Sequence, residues 1–244
     1  MLRGIYISAT GLKAGLKQLD TIANNIANIN TVGYRADITV NSGFEEKILN
    51  YAGKEVGMLE YGVNPDINYL DLSSGKYVPT GRNLDFALVG NGFFVVETPA
   101  GLRYTRAGDF QVNRDGYLCL PNGSRVLGEK GPIKIDNEEL YVEKDGRIYN
   151  KERSRYIDRL RVVEPVDPVA LEKVGGNFFV TAANNLRRGN ALVLQGYLEQ
   201  SNVDPNREYP ALLESLRYLQ SNARGLKVQD ELLSKAVNDL GKVR

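Results

Sequence analysis

The strongest constraint on this chain lies in its two ends. At the start, Leu2, Ile5, Ala9, Leu12, Leu16, Leu19, Ala23 and Ile26 follow at alternating spacings of three and four, and all are apolar. At the end, Leu212, Leu216, Leu219, Ala223, Leu226, Leu233, Val237 and Leu240 keep the same alternation, broken only by Asp230. Such spacing lays residues along one stripe of an α-helix, as in a coiled-coil seam. Two matching stripes at opposite ends predict helices that pair with each other. The chain then leaves a helical layer, builds something else and returns. Asp230 either sets register or lies at the edge of the seam, where water reaches it. Gly4, Gly11 and Gly15 each cost the first helix about 1 kcal/mol relative to Ala. That cost predicts ends that order on association.

Between the ends the period changes. "FALVGNGFFVVET" is rich in β-branched and aromatic residues around a Gly-Asn-Gly break. "LRYTRAGDFQV" and "YLCLP" flank Asp115-Gly116, a strong hairpin signal. Asn122-Gly123 and Asp145-Gly146 supply two more turns, and "RYIDRLRVVE", "GNFFVT" and "ALVLQGYLE" read as later strands. Short strands this evenly punctuated predict an all-β sandwich or barrel-like module. The fold class is therefore α+β, with paired terminal helices and a central β domain. The predicted division is 1–35 with 206–244 as a discontinuous helical domain, 36–75 as an extended connector of short strands, and 76–205 as the β domain.

The composition narrows the chemistry. A net charge of +1 over 244 residues speaks against a polyanion binder, so no nucleic-acid partner is expected. The basic, Tyr-bearing stretch "KERSRYIDRLR" reads as a strand with a cationic solvent face. With no His and one Cys, the usual zinc sites and the commonest general base are missing. "GNGFF" lacks the third glycine of a dinucleotide fingerprint. Asp71, Asp85, Asp109 and Asp115 all sit beside turn residues, which accounts for them without catalysis. No catalytic set, cofactor or metal is expected. The longest apolar runs, such as "FALV" and "FFVV", are too short to cross a bilayer, and "MLRGIYISATGLKAGLKQLD" has no uninterrupted apolar core of a secretory leader.

The first helix closes in "ANNIANINTVGY". Asn30, Thr31 and Gly33 are termination residues. Asn24, Asn25 and Asn28 fall off the apolar stripe, and their side chains are expected to face neighbours or solvent, where they set register between subunits.

"ATGL" followed by "IANNIANINTVGYR" closely resembles the signature of the bacterial flagellar rod and hook proteins, carried by Asn24, Asn25, Ala27, Asn28, Thr31, Gly33 and Tyr34. "RNLDFALVGNGFFVVETPAGLRYTRAGDFQVNRDGYL" looks like the β-domain segment of that family, and "GYLEQSNVD" before a long heptad helix looks like its C-terminal segment. The resemblance covers nearly the whole chain. It implies a hook/rod-like fold and a structural subunit of the flagellar basal-body rod. Terminal helices of many copies would pack as an inner tube with β domains outside. The implied partners are other copies, other rod and hook subunits, and ring proteins around the rod. The implied location is a periplasm-spanning rod, reached by type III export without a cleaved leader. The implied assembly residues are the stripe positions Leu12, Leu16, Leu19, Ala23, Ile26, Leu216, Leu219, Ala223, Leu226, Leu233, Val237 and Leu240. The opening "RGIYISATGL" and the length favour a proximal or generic rod type over the distal-rod and hook types. The reading that stays open beside it is a monomeric β-domain module that binds a glycan or protein and carries its helices as a stalk.

Overall fold

A computed structural model describes residues 2–43, 47–51, 54–59, 63–135, 140–150 and 155–241, without the side chains at 2–3, 41–68 and 239–241. The chain divides into two compact units. One comprises Met1–Ala27, Asp37–Tyr69 and Asp204–Arg244, and the other Asn28–Ala36 and Leu70–Val203. This division assigns Asn28–Ala36 to the β unit and Asp37–Tyr69 to the helical one, unlike the sequence-based cut at 35 and 75.

In the helical unit, α1 (Leu2–Ala27) and α2 (Pro205–Gly241) run antiparallel. Asp204 starts α2: its carboxylate accepts from the Asn206 N–H at 2.9 Å, and Pro205 follows at a position where a missing N–H costs nothing. The strand Asp37–Gly43 pairs with Val63–Leu70, and Lys47–Tyr51 pairs antiparallel with Lys54–Leu59. The expected short strands of the connector are therefore present.

In the β unit, the largest sheet has nine strands among the described residues. Its centre is Phe93–Thr98, which pairs with Gly101–Thr105, Arg125–Val126 and Val162–Pro165. Strand alternation sends its side chains to opposite faces. Phe94 and Val96 join one apolar cluster, with Phe86, Phe110 and Ile148, while Phe93 and Val95 join a second with Tyr104 and Phe179. Both faces of this strand are thus buried, which explains its unbroken apolar run. Edge-to-face pairs pin both cores, Phe94 on Phe110 at 5.1 Å and Phe93 on Phe179 at 5.4 Å. The Asp115-Gly116 hairpin forms as expected: Leu118 pairs with Val112, and Gly116 takes φ 81°, which a side chain would resist.

Candidate functional site

The contact between α1 and α2 sets small residues of α1 against larger side chains of α2. A Cβ added at Gly4 would lie 2.5 Å from Gln229 Nε2, and one at Gly15 would lie 2.8 Å from Leu219 Cδ2. One at Gly11 would meet Asn222 and Tyr218 at 3.2 Å. Ser8 approaches Gly225, and the Ser215 hydroxyl donates to the Gly15 carbonyl at 3.4 Å. The glycines that weaken α1 in isolation are the residues that leave room for the α2 side chains Gln229, Asn222, Tyr218 and Leu219.

The apolar stripe is correspondingly displaced. Ile5, Leu12, Leu19 and Ile26 are half-buried, whereas Ala9, Leu16 and Ala23 are exposed. On α2, Leu212, Leu219, Leu226 and Leu233 are half-buried, whereas Leu216, Ala223, Asp230 and Val237 are exposed. Leu240 lies in α2, but its side chain is outside the described residues. This corrects the expectation that both stripes meet in one intrachain seam. The line of contact lies one residue earlier on each helix, through Gly4, Ser8, Gly11 and Gly15 and through Ser215, Tyr218, Asn222, Gly225 and Gln229. Every second stripe residue flanks that line, and the others face away from it. Leu16, Leu216 and Val237 are 54%, 40% and 67% exposed. The sequence did carry a signal for this: the small residues at 4, 8, 11 and 15 repeat with the same three-four alternation, which marks a close approach as well as a weak helix.

Asn25 also requires correction. It is 2% exposed, and so faces neither solvent nor a neighbour. Its Nδ2 donates to the Asp37 carbonyl at 2.9 Å, and its Oδ1 accepts from the Asp37 N–H at 3.0 Å. The amide thereby replaces a strand neighbour at the start of Asp37–Gly43. Beside it the Thr39 and Thr21 hydroxyls hydrogen-bond at 2.7 Å. Burial raises the Glu208 carboxyl, and a hydrogen bond from Asn25 opposes that rise. Asn25→Ala strands both backbone groups of Asp37. The expected cost is about 1–3 kcal/mol, read from the urea midpoint of the full-length chain. Asn24 and Ala27 are exposed. Asn28 accepts from the Thr31 hydroxyl at 3.1 Å and closes the turn after α1.

The rest of the signature enters the β unit, where it meets the C-terminal motif. Tyr34 is 2% exposed and packs with Ala36 and Val203, and the Lys173 ammonium sits 3.7 Å from its ring centroid. The Gly33 N–H donates to the Glu199 carbonyl at 2.7 Å, and a Cβ there would fall 2.4 Å from the Arg106 backbone. Asn202 accepts from the Ala36 N–H at 2.7 Å and donates to the Asp71 carbonyl at 3.0 Å. At the centre is a fully buried charge cluster. Glu199 accepts from Arg35 Nη2 at 2.6 Å, from the Gly75 N–H at 3.1 Å and from Arg106 Nη1 at 3.3 Å. Burial pushes Arg106 down to about 10 against the pull of Glu199, so it stays cationic at neutral pH. In sequence, the unit that holds this cluster takes up the chain at Asn28, after α1, and releases it at Val203, before α2.

Arg35, Arg106, Glu199 and Asn202 were not singled out from sequence, because nothing in local spacing joins positions so far apart. Among the described residues, no group of three or more His, Cys, Asp or Glu is placed to hold a metal ion, and no helix is long and apolar enough to cross a membrane.

Comparison with known proteins converges on one family. Residues 5–35 match the flagella basal body rod protein family, residues 87–150 the flagellar hook protein FlgE/F/G D1 domain, and residues 194–240 the flagellar basal body rod FlgEFG protein C-terminal region. Flagellar basal-body rod protein FlgG of Bacillus subtilis is 31% identical, over 98% of this chain and 99% of its own. Flagellar basal-body rod protein FlgF of Caulobacter vibrioides is 31% identical over the whole of both chains, and flagellar hook-basal body complex protein FlhO of Bacillus subtilis is 29% identical over the whole of both. The first and last matched segments contain the helices and the two motifs that meet around Glu199, and at this identity and coverage the chain belongs to the flagellar basal-body rod protein family.

Proposed function

We propose that this chain is a structural subunit of the flagellar basal-body rod, joined to its neighbours through the outward-facing apolar residues of α1 and α2. The observation that carries this reading is the displaced stripe. Small residues of α1 line its contact with α2, while Tyr6, Ile7, Leu16, Leu213, Leu216 and Val237 remain at least 40% exposed. A soluble chain rarely leaves so many large apolar side chains on one pair of helices unless another surface covers them. Heterologous contacts of this kind, repeated from copy to copy, build an open helical rod. The half-buried members Leu12, Leu19, Ile26, Leu219, Leu226 and Leu233 form the shoulders of the same surface, with Ala23 and Ala223 on its outer row. Other rod and hook subunits continue the axis, and ring proteins surround it in the basal body.

The test compares the full-length chain with residues 28–203 by sedimentation velocity across concentration. Growth of the full-length chain into large species, with 28–203 remaining monomeric, is the expected result. A full-length chain that stays monomeric at the highest concentration overturns the assembly reading and favours the module with a helical stalk.

A further inference from the structure

Asp230 interrupts an otherwise apolar alternation, and its place on α2 gives the interruption a use. It is exposed on the row that carries Leu216, Ala223 and Val237, and Lys227 stands between Ala223 and Asp230 on that row. The outer row of α1 is built alike: Lys13 follows Ala9 by four residues, Asp20 follows Leu16 by four, and all are exposed. None of the side chains of Lys13, Asp20, Lys227 and Asp230 has a hydrogen bond or ion pair among the described residues. Their opposite charges do not meet across one helix pair. Gly11 lies against Asn222 and Gly4 against Gln229, so Lys13 and Asp230 stand on the order of 15 Å apart along the pair, and Asp20 and Lys227 farther still. The two rows also lie on opposite sides of the pair, each facing away from the mutual contact.

Rows on opposite sides suit head-to-tail association, in which α1 of one copy meets α2 of the next. Copies that keep one direction along a rod set those two helices antiparallel, as α1 and α2 are within a chain. The charges favour the same orientation. Along α1 the order is Lys13 then Asp20, and along α2 it is Lys227 then Asp230. Only antiparallel helices bring unlike charges together at both places. With Lys13 against Asp230, Leu16 falls on the aliphatic stem of Lys227, whose ammonium reaches Asp20 one turn away. We propose that Lys13 of one copy pairs with Asp230 of a second copy, with Asp20 and Lys227 as the flanking pair, and that these contacts fix the register in which the outer rows meet. A slipped register would cover Asp230 without a cation, which costs more than the neighbouring apolar contacts gain. The proposal rests on the assembly reading above and adds to it the partner helix, its direction and its register.

Sedimentation velocity of the full-length chain tests it, with Lys13→Asp, Asp230→Lys and the two changes combined. Circular dichroism checks that each variant keeps the parent's helix content. Each single change sets like charges face to face and is expected to weaken association at least about tenfold, whereas the combined change is expected to restore it to within about threefold of the parent. An equimolar mixture of the two single variants is also expected to assemble, because copies that alternate place unlike charges at every contact. Single variants that assemble as the parent does overturn the register pair and leave the assembly reading standing. So do a combined variant and a mixture that both stay monomeric while the parent assembles. A parent that stays monomeric at the highest concentration overturns both readings.

Discussion

Glu199→Ala lowers the stability of the β unit by about 3–5 kcal/mol, enough to bring a domain of ordinary stability close to unfolding at room temperature. Glu199 is fully buried and is the anion that both Arg35 and Arg106 share. Removing it leaves two guanidinium groups in a low-dielectric site, with Arg35 Nε and Nη1 and Arg106 Nε already lacking hydrogen-bond partners among the described residues. The loss is of desolvation repaid, and so far exceeds that of a surface ion pair. Urea unfolding of the full-length chain, followed by near-ultraviolet circular dichroism of its tyrosines, measures it. Glu199→Gln keeps the shape and one acceptor, and is expected to cost less. A triple change of Glu199 to Leu and of Arg35 and Arg106 to Met is expected to recover most of the loss, because a well-packed apolar set needs no counter-ion. If Glu199→Ala matches the parent within about 0.5 kcal/mol, the typical scale of a surface substitution, the cluster has no such role.

The cluster explains why two separated motifs belong to one chain. "TVGYR" and "GYLEQSNVD" stand far apart in sequence, yet Gly33, Arg35 and Glu199 touch directly. Locally they carry different information. The helices were legible because a three-four alternation is a short-range pattern, and so were the hairpins, because Asp-Gly and Asn-Gly turns are chosen by backbone geometry within four residues. The phase of the helix contact was not legible from apolar residues alone. Pairing leucine against leucine competes with seating large α2 side chains over the glycines of α1, and at Gly11 and Gly15 the second prevails. Asn25 was misplaced for the same reason: once the contact rotates by one residue, an apparently outward amide turns inward onto Asp37. A cut at residue 36 would also separate Gly33, Tyr34 and Arg35 from the unit that contains their partners. Long-range polar contacts leave no periodic trace in a sequence, and Arg35 looks like any arginine after a turn.

Copies carrying Leu16→Lys, Leu216→Lys and Val237→Lys together fold as the parent does and do not assemble. The three positions are exposed in the single chain, on the rows of α1 and α2 that face away from their mutual contact. Lysine is compatible with a helix and removes no intrachain hydrogen bond at these places. Helix content and the thermal midpoint are therefore expected to stay close to those of the parent. In an assembly the same side chains would be covered. Burying a leucine or valine is favourable by about 1.5–3 kcal/mol, and burying an unpaired ammonium costs more than that gain. Three such changes remove on the order of 5 kcal/mol or more from each contact, or roughly three to four powers of ten in association constant. Sedimentation velocity should show the triple variant as a monomer at concentrations where the parent forms large species. Ser221→Lys, an exposed polar position of α2 five residues from Leu216 and so off that row, is the control that separates added charge from lost apolar contact. Assembly of the triple variant at parental concentration would mean that the copies meet elsewhere. The exposed leucines would then need a different partner, and the arrangement of small residues inside and large ones outside would have to be explained by that partner's surface.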